Sequence, residues 1–400
     1  MEPVFGDRTL FPDLTPFAYL NHAAVSPPSL RVRAAAQALL DNYAAHGVGA
    51  VMETLDQRER LRARLAGLIR AQPDDIGFVA NTSAGVTAVA LGLRWNPGDR
   101  ILLFDGEFPT NITPWQRAAQ TFDLKTTFLS LDGFTDGSGD GLAQLEGALK
   151  VGGVRLVAVS AVQFQTGLRM PTAEMAALCH RYGARLFVDG IQAIGAVPFD
   201  ARAVDFMACG SHKWMMGLEG CGFLFVHPDA IDDLAPRVAS WLSHDEGCLD
   251  FLFEGPGHLD YDRPIRRQAS FVEGGAPNAL GFVALEAAAD VLAALTVPAI
   301  YQHANAYLDA LEPGLIARGF VSHRAADPNR RSCILSTTVP EGVDLKALHT
   351  ALGERGVSVS TPDGRLRFSP HWPNREDEIA PLLAALDESL RMIRRVGLDF

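Results

Sequence analysis

Between residues 75 and 226, short wholly apolar runs alternate with longer amphipathic runs, and this alternation constrains the fold more than any other feature. A strand with one face in water alternates apolar and polar residues, so the wholly apolar runs predict strands that are buried on both faces. The runs between them have the apolar spacing of helices. Together they predict a three-layer α/β/α domain around a mainly parallel sheet. The predicted strands are 75–80, 100–104, 126–131, 154–160, 185–188, 205–209 and 222–226.

The C-terminal part of the chain predicts a second, smaller α/β domain. Residues 237–278 are rich in Gly, Pro, His and aromatic residues, and we interpret them as a long functional loop. Helical and strand patterns follow, and a chain of 400 residues is too long for one ordinary domain. We predict a large domain over 20–255 and a smaller domain formed by 1–19 together with 256–400.

Charge and cysteine content narrow the classes of function. The net charge is -12 and no basic stripe is present, so we expect neither nucleic acid nor a membrane as a partner. The apolar stretches are too short to span a bilayer, and the first ten residues do not resemble a secretory signal. The five cysteines are scattered without a CxxC pair. We therefore expect a cytoplasmic protein without a disulfide framework or zinc ribbon.

Lysine is rare, which singles out one candidate nucleophile. The chain has only Lys125, Lys150, Lys213 and Lys346. Lys213 follows a predicted strand and lies in a Gly-rich, apolar stretch, where desolvation would lower the pKa of its amine and favour imine formation. A solvated surface lysine is the alternative, and the other three lysines fit that description better.

Two further sites follow predicted strands, where ligands of parallel sheets bind. Asp189 ends an apolar strand, and a buried carboxylate there needs a cation, such as a pyridinium nitrogen, or good hydrogen bonds. The alternative is a cap for a short helix at 192–195. Residues 81–85 open a helix whose N-terminus suits a phosphate, although an ordinary cap by Asn81 or Thr82 explains them equally well.

Arg367 is a candidate for binding a carboxylate. Arg365 and Arg367 alternate with apolar Leu366 and Phe368, so the two arginines share one face of a strand. An inward-facing arginine would hold a substrate carboxylate through two hydrogen bonds. A solvated strand face is the alternative.

Taken together and in this order, these motifs resemble the class V aminotransferase superfamily of fold type I, whose members depend on pyridoxal phosphate (PLP). The resemblance spans nearly the whole chain, and it is to the cysteine desulfurase-like and isopenicillin N epimerase-like proteins of this superfamily. Its most specific element is the strand–Asp–Gly–x–Gln motif at Asp189 with Ser–His–Lys about two dozen residues later. The matching stretches are 19–24, 81–83, 107–109, 111–112, 114–115, 188–192, 211–214, 274–278 and 367–369.

The resemblance implies roles for individual residues. Lys213 would form the Schiff base with PLP and carry the α-proton, and Asp189 would pair with the ring nitrogen. Phe108 would stack on the ring, and Gln192 would hydrogen-bond its hydroxyl. Asn21, His22 and Arg367 would line the substrate site. The implied phosphate ligands are Thr82, Ser83, Ser211 and His212. The resemblance also implies a homodimer with the cofactor at the subunit interface.

The chain departs from its apparent relatives at three places. Ala276 stands where many relatives have a Thr that reaches the partner subunit's phosphate. Gln163 or Gln165 would replace a polar Asn near the cofactor, and we assign Gln163 to the cofactor site. Cysteine desulfurases need a mobile cysteine just before the substrate arginine, and residues 358–364 contain none. Cys333, on a predicted strand, is interpreted as a buried structural thiol.

These features predict a PLP-dependent enzyme that acts at the α-carbon of a small amino acid, with class V transamination as the leading reaction. An epimerase or a lyase on the same scaffold is the alternative, although the missing cysteine disfavours desulfuration through a persulfide. Epimerisation would need a second proton donor, and the candidates are His22, His244, His258 and His371. A non-catalytic PLP-binding protein is the third alternative.

Overall fold

The computed structural model describes residues 2–135, 140–245, 247 and 249–396. Cys248 lies outside the described residues. The strands in chain order are β1 (Ala18–Tyr19), β2 (Ile76–Val79), β3 (Arg100–Phe104), β4 (Lys125–Leu129), β5 (Val154–Ser160), β6 (Arg185–Asp189), β7 (Phe206–Gly210), β8 (Gly222–Val226), β9 (Val321–Ser322), β10 (Leu335–Thr338), β11 (Val357–Ser358) and β12 (Leu366–Phe368). The helices are α1 (Leu30–His46), α2 (Val51–Ile69), α3 (Thr82–Gly92), α4 (Thr113–Phe122), α5 (Asp132–Thr135), α6 (Asp140–Lys150), α7 (Thr172–Arg181), α8 (Asp250–Phe253), α9 (Ala279–Leu295), α10 (Val297–Ile316), α11 (Leu345–Glu354) and α12 (Ile379–Val396).

A seven-stranded sheet forms the centre of the molecule, in the order β2-β8-β7-β6-β5-β3-β4. All of its neighbouring pairs are parallel except those that involve β8, which runs antiparallel to β2 and β7. The sheet confirms the predicted fold class, and the predicted strands correspond to β2–β8. Its parallel central strands end at one edge, where the chain leaves β5, β6 and β7.

Helices cover both faces of this sheet, which explains why its central strands β5 to β8 are largely apolar. One buried layer includes Val157, Val188 and Met207 from the strands, together with residues of α2, α6, α7 and α9. The opposite layer includes Ala158 and Phe187 from the strands, with residues of α3 and α4. Burial of this apolar area is the main force that stabilises the three layers.

The smaller sheet is antiparallel and has the order β12-β10-β9. Leu335, Leu366 and Phe368 from its strands share a separate buried cluster with residues of α10, α11 and α12. Strand β1, near the N-terminus, pairs in parallel with β11, and its Ala18 belongs to the same cluster. Helix α9, by contrast, packs into the core of the large sheet. The exact division between the two predicted domains stays a prediction.

Two further sequence expectations concern loops and membranes. Among the described residues of 237–278, the regular structure consists of short helical turns, the four-residue α8 and an isolated bridge between His244 and Ile265. Among the described residues, no single helix is long and apolar enough to cross a membrane. The helices α9 and α10 meet that criterion only as a pair, by length and composition, and are bent by 76° at the break between them.

Candidate active site

The carboxyl ends of β6 and β7 bring Asp189 and Lys213 to one cavity of about 560 Å³. Asp189 is the last residue of β6, and Lys213 is the third residue after β7. Because the two strands are parallel neighbours, the side chains that follow them meet at the same edge of the sheet. The lining residues include Ala23, Asn81, Thr82, Ser83, Phe108, Thr110, Phe164, Asp189, Gln192, His212, Lys213, Glu219, Pro362 and Arg367.

Asp189 is a buried acid with an incomplete set of partners. Its side chain is 1% exposed. One carboxylate oxygen accepts a hydrogen bond from the Ile191 backbone N–H at 2.9 Å. The other oxygen accepts none from the described residues. Burial raises the pKa of Asp189 to about 7, and the nearby Glu107 carboxylate adds to the effect. A cation in the cavity would reverse this shift and hold the acid ionised.

Lys213 has the properties of a nucleophilic amine. Burial lowers its pKa to about 8, Asp189 opposes that shift and the Arg367 guanidinium adds to it. A larger fraction of the amine is therefore neutral near physiological pH than for an ordinary lysine. Its Nζ lies 5.7 Å from the centre of the Phe108 ring. The amine and an aromatic surface therefore face the same space.

The N-terminus of α3 forms another wall of the cavity. Asn81 caps the helix by accepting the Ala84 N–H at 2.9 Å, so the predicted cap is present. The Thr82 hydroxyl accepts the Gly210 N–H at 2.9 Å, which ties the helix to the end of β7. Ser83 is hydrogen-bonded to Thr110 at 2.8 Å. The first N–H groups of a helix and its dipole favour an anion at this position.

Gln192 is held in place through both ends of its amide. Its Nε2 donates to the Ala23 carbonyl at 3.0 Å, and its Oε1 accepts from Trp214 Nε1 at 2.8 Å. An amide nitrogen carries two hydrogens, so one donor remains for a ligand in the cavity.

Arg367 closes the far side of the cavity, and its side chain faces inward rather than toward solvent. The residue is 4% exposed. Its Nε donates to the Ser360 hydroxyl at 3.0 Å, and its Nη1 donates to the Phe164 carbonyl at 2.9 Å. No carboxylate of the described residues pairs with it, and burial lowers its pKa to about 10. A buried guanidinium without an acidic partner is suited to bind an anionic group.

Four predicted site residues lie outside the cavity lining. The Ser211 hydroxyl donates to the Leu218 carbonyl behind the loop. The Gln163 amide donates to Glu107 at 2.8 Å. Asn21 forms a bridge with Ser369. His22 is buried, and its Nδ1 is hydrogen-bonded to the Ser26 hydroxyl at 2.7 Å. Direct roles for these four residues in binding cofactor or substrate stay predictions.

None of the four histidines considered as second proton donors lines the cavity. His371 is the clearest case. Its Nδ1 accepts the Trp372 N–H at 2.8 Å, so its Nε2 carries the hydrogen and donates to the Trp214 carbonyl at 2.9 Å. Burial lowers its pKa to about 4. Both nitrogens are used, so His371 is a fixed neutral support for the Lys213–Trp214 backbone.

Sequence reasoning assigned no role to Glu107, which the structure places beside the site. Glu107 is buried at the edge of the sheet, and its charge reaches Asp189. The sequence feature that could have identified Glu107 is an acidic residue three positions after the apolar strand β3, next to Phe108. The cysteines among the described residues are poor candidates for a reactive thiolate. Cys179, Cys209, Cys221 and Cys333 are buried, and burial raises the pKa of each thiol.

These groups fit PLP. The oxygen of Asp189 that lacks a partner suits the cationic ring nitrogen, and the neutral fraction of Lys213 suits the aldehyde. The α3 N-terminus suits the phosphate, and the exposed face of Phe108 suits the ring. The fold and the site thus define a PLP-dependent enzyme of fold type I.

Comparisons with known proteins support this class of enzyme. The family model for aminotransferase class-V matches residues 18–370, and the chain belongs to that family. A probable cysteine desulfurase of Methanothermobacter thermautotrophicus is 27% identical, over 95% of this chain and 96% of the relative. The isopenicillin N epimerase of Amycolatopsis lactamdurans is 28% identical, over 82% and 83%. A mutant of C-DES with glycine covalently linked to the PLP cofactor superposes with a TM-score of 0.86. It is 26% identical and covers 95% of this chain and 98% of its own.

Proposed function

We propose that this enzyme is a PLP-dependent lyase that cleaves a carbon–sulfur bond at the β-carbon of a small amino acid, without an enzyme thiol. The observation that carries the proposal is the composition of the cavity wall. Among the described residues, it presents one lysine amine and one buried guanidinium without an acidic partner, and no cysteine among them lines it. Relatives support the type of bond. Several are named cysteine desulfurases, and C-DES is described as a cystine C-S lyase.

The chain's own residues can carry out such a reaction. Bound PLP supplies an electron sink for the α-carbon. Arg367 binds the substrate carboxylate and so fixes which bond to the α-carbon faces the amine. Lys213 Nζ takes the α-proton, the electron pair of that bond forms a double bond to the β-carbon, and the sulfur leaves with the pair of the broken carbon–sulfur bond. Lys213 then gives its proton to the departing sulfur as a general acid. Water would hydrolyse the unsaturated amino acid to pyruvate and ammonia.

Transamination begins with the same proton transfer, so it is the second candidate. The family name and the sequence prediction support it, while the relatives that cleave carbon–sulfur bonds favour elimination. Epimerisation has less support because the histidines considered for it lie away from the cavity. A homodimer, a cytoplasmic location and the absence of a nucleic-acid or membrane partner stay predictions.

The test is a substrate panel with the PLP-loaded protein. Cysteine, cystine, alanine and serine are supplied with and without a keto-acid acceptor. Pyruvate, released sulfur, new amino acid and exchange of the α-hydrogen are measured. We expect pyruvate and released sulfur from the sulfur substrates without an acceptor. Formation of new amino acid that strictly requires the acceptor would overturn the lyase assignment and establish transamination.

A cysteine variant tests the thiol-free part of the proposal. Cys248 is the one cysteine outside the described residues, so Cys248→Ser is compared with Cys333→Ser, which changes a buried thiol that does not line the cavity. We expect both variants to release sulfur at the rate of the parent protein. Loss of sulfur release in Cys248→Ser alone would show that an enzyme thiol takes part.

Two other outcomes of the substrate panel would favour other functions. Exchange of the α-hydrogen without product would favour the epimerase, and binding without any reaction would favour a non-catalytic protein.

A further inference from the structure

Glu107 is a buried acid whose carboxyl group is surrounded by hydrogen-bond donors. Burial raises its pKa, and the hydrogen bonds from Ser160, Gln163 and Asn111 oppose that shift. Glu107 is 8% exposed and accepts four hydrogen bonds from three residues. The Ser160 backbone N–H donates at 2.7 Å, and the Ser160 hydroxyl donates as well. Gln163 Nε2 donates at 2.8 Å and Asn111 Nδ2 at 3.2 Å. Burying a carboxylate is costly unless it is paired in this way, so the arrangement needs an explanation.

These hydrogen bonds join three segments that meet behind the cavity. Glu107 precedes Phe108, whose ring lines the cavity. Ser160 ends β5 directly beside Asp189, with which it is in register. Asn111 accepts the indole N–H of Trp115 at 3.1 Å and so connects the cluster to α4. Glu107 therefore ties the phenylalanine wall to the strand ends that carry the chemistry.

The third segment leads to the substrate end of the cavity. Gln163 belongs to the hairpin 161–170, which follows β5 and is closed by backbone hydrogen bonds from Gln163 to Leu168 and from Gly167 to Gln163. The next residue, Phe164, uses its carbonyl to accept Arg367 Nη1. Its ring also meets Phe108 edge to face at 5.3 Å. A continuous path of contacts therefore runs from Glu107 through the hairpin to the guanidinium.

We infer that Glu107 is a positioning residue: it fixes the hairpin 161–170 so that the Phe164 carbonyl orients Arg367 toward the substrate. Glu107 does not line the cavity and acts through Gln163. The inference rests on the proposed function, in which Arg367 binds the substrate carboxylate. The placement of the hairpin by Glu107 can be measured without that function.

The experiment compares Glu107→Gln and Gln163→Leu with Asp205→Asn in the PLP-loaded protein. Asp205 is a matched control, because it is a buried carboxylate that accepts from Arg185, His180 and the Leu186 N–H, each at 2.8 Å. It precedes β7, at the opposite end of that strand from Lys213. Gln163→Leu removes one contact of Glu107 and retains its charge, so it serves even where Glu107→Gln folds poorly.

Two measurements separate positioning from general stability. Hydrogen exchange of the hairpin amides is expected to become about tenfold faster in both test variants, because the hairpin opens locally at lower cost. KM for the amino-acid substrate is expected to rise about tenfold, with a smaller change in kcat. Asp205→Asn is expected to lower the unfolding temperature without either effect.

The outcomes are distinct. Unchanged hairpin exchange in both test variants would overturn the inference, whatever the reaction proves to be. Faster exchange with an unchanged KM would show that the hairpin does not control Arg367 and would also overturn it. Failure of the lyase assignment shows only in the product panel, while the exchange rates still report on Glu107.

Discussion

The two ends of the cavity are built in different ways. At the cofactor end, Asp189 ends β6 and Lys213 comes shortly after β7, the neighbouring parallel strand of the same sheet. At the substrate end, Arg367 lies on the small sheet, and it is held by Phe164 from a hairpin and by Ser360 from a loop. Segments about 200 residues apart in the chain therefore form the substrate end. The cofactor chemistry therefore rests on the sheet, whereas substrate selection depends on how separate segments meet.

The cofactor end should be the least tolerant of change. Lys213→Ala is expected to abolish the visible absorbance band of the bound cofactor. It should lower turnover by about 10³-fold or more, because the amine is both the covalent anchor and the proton carrier. Lys150→Ala removes an exposed lysine at the end of α6 and is the matched control. A Lys213→Ala protein that retains the band and the turnover would contradict the assignment.

Asp189→Asn tests the second residue of that end. The substitution keeps the shape of the side chain but removes the charge that opposes the ring cation. Breaking a buried ion pair costs about 3 kcal/mol or more, so we expect roughly a 100-fold loss in kcat. The absorbance spectrum of the bound cofactor should change as well. If kcat falls by less than about threefold, the carboxylate does not serve the ring nitrogen.

Arg367→Lys tests the substrate end. Lysine keeps the charge but loses the planar pair of donors, and a hydrogen bond to a charged group is worth about 1.5 kcal/mol or more. KM should therefore rise about tenfold for substrates that have a carboxylate. Cofactor binding should be unchanged, since Arg367 serves the other end. An equal loss for a substrate analogue without a carboxylate would contradict this division of roles.

The smallest effect is expected where the hairpin 161–170 contacts the loop that carries Pro362. Gln165 Nε2 donates to the Asp363 carboxylate at 2.8 Å, which joins the hairpin to the loop that carries Pro362. This exposed contact should contribute at most about 1 kcal/mol. Gln165→Leu is expected to raise KM about twofold to fivefold and leave kcat unchanged. A large fall in kcat would mean that the contact reaches the cofactor end.

The sequence predicted the cofactor end better than the substrate end, for a physical reason. A polar residue at the end of an apolar parallel strand lies at the carboxyl edge of the sheet, so the positions of Asp189 and Lys213 follow from local patterns. The direction of the Gln163 side chain does not follow from local patterns, because a residue in a hairpin can face either the cavity or Glu107. The same limit applies to His371, whose neutral, fully bonded state depends on Trp214, more than 150 residues earlier in the chain.

The parallel pairing of β1 with β11 has a consequence for the order of folding. Ala18 is paired with Val357, so strand β1 is synthesised long before its partner strand exists. At 5–20 residues per second, a ribosome needs roughly 15–70 s to make the intervening chain. The large sheet can collapse during that interval, while β1 waits with an open edge. Completion of the small domain is therefore a late event in biosynthesis.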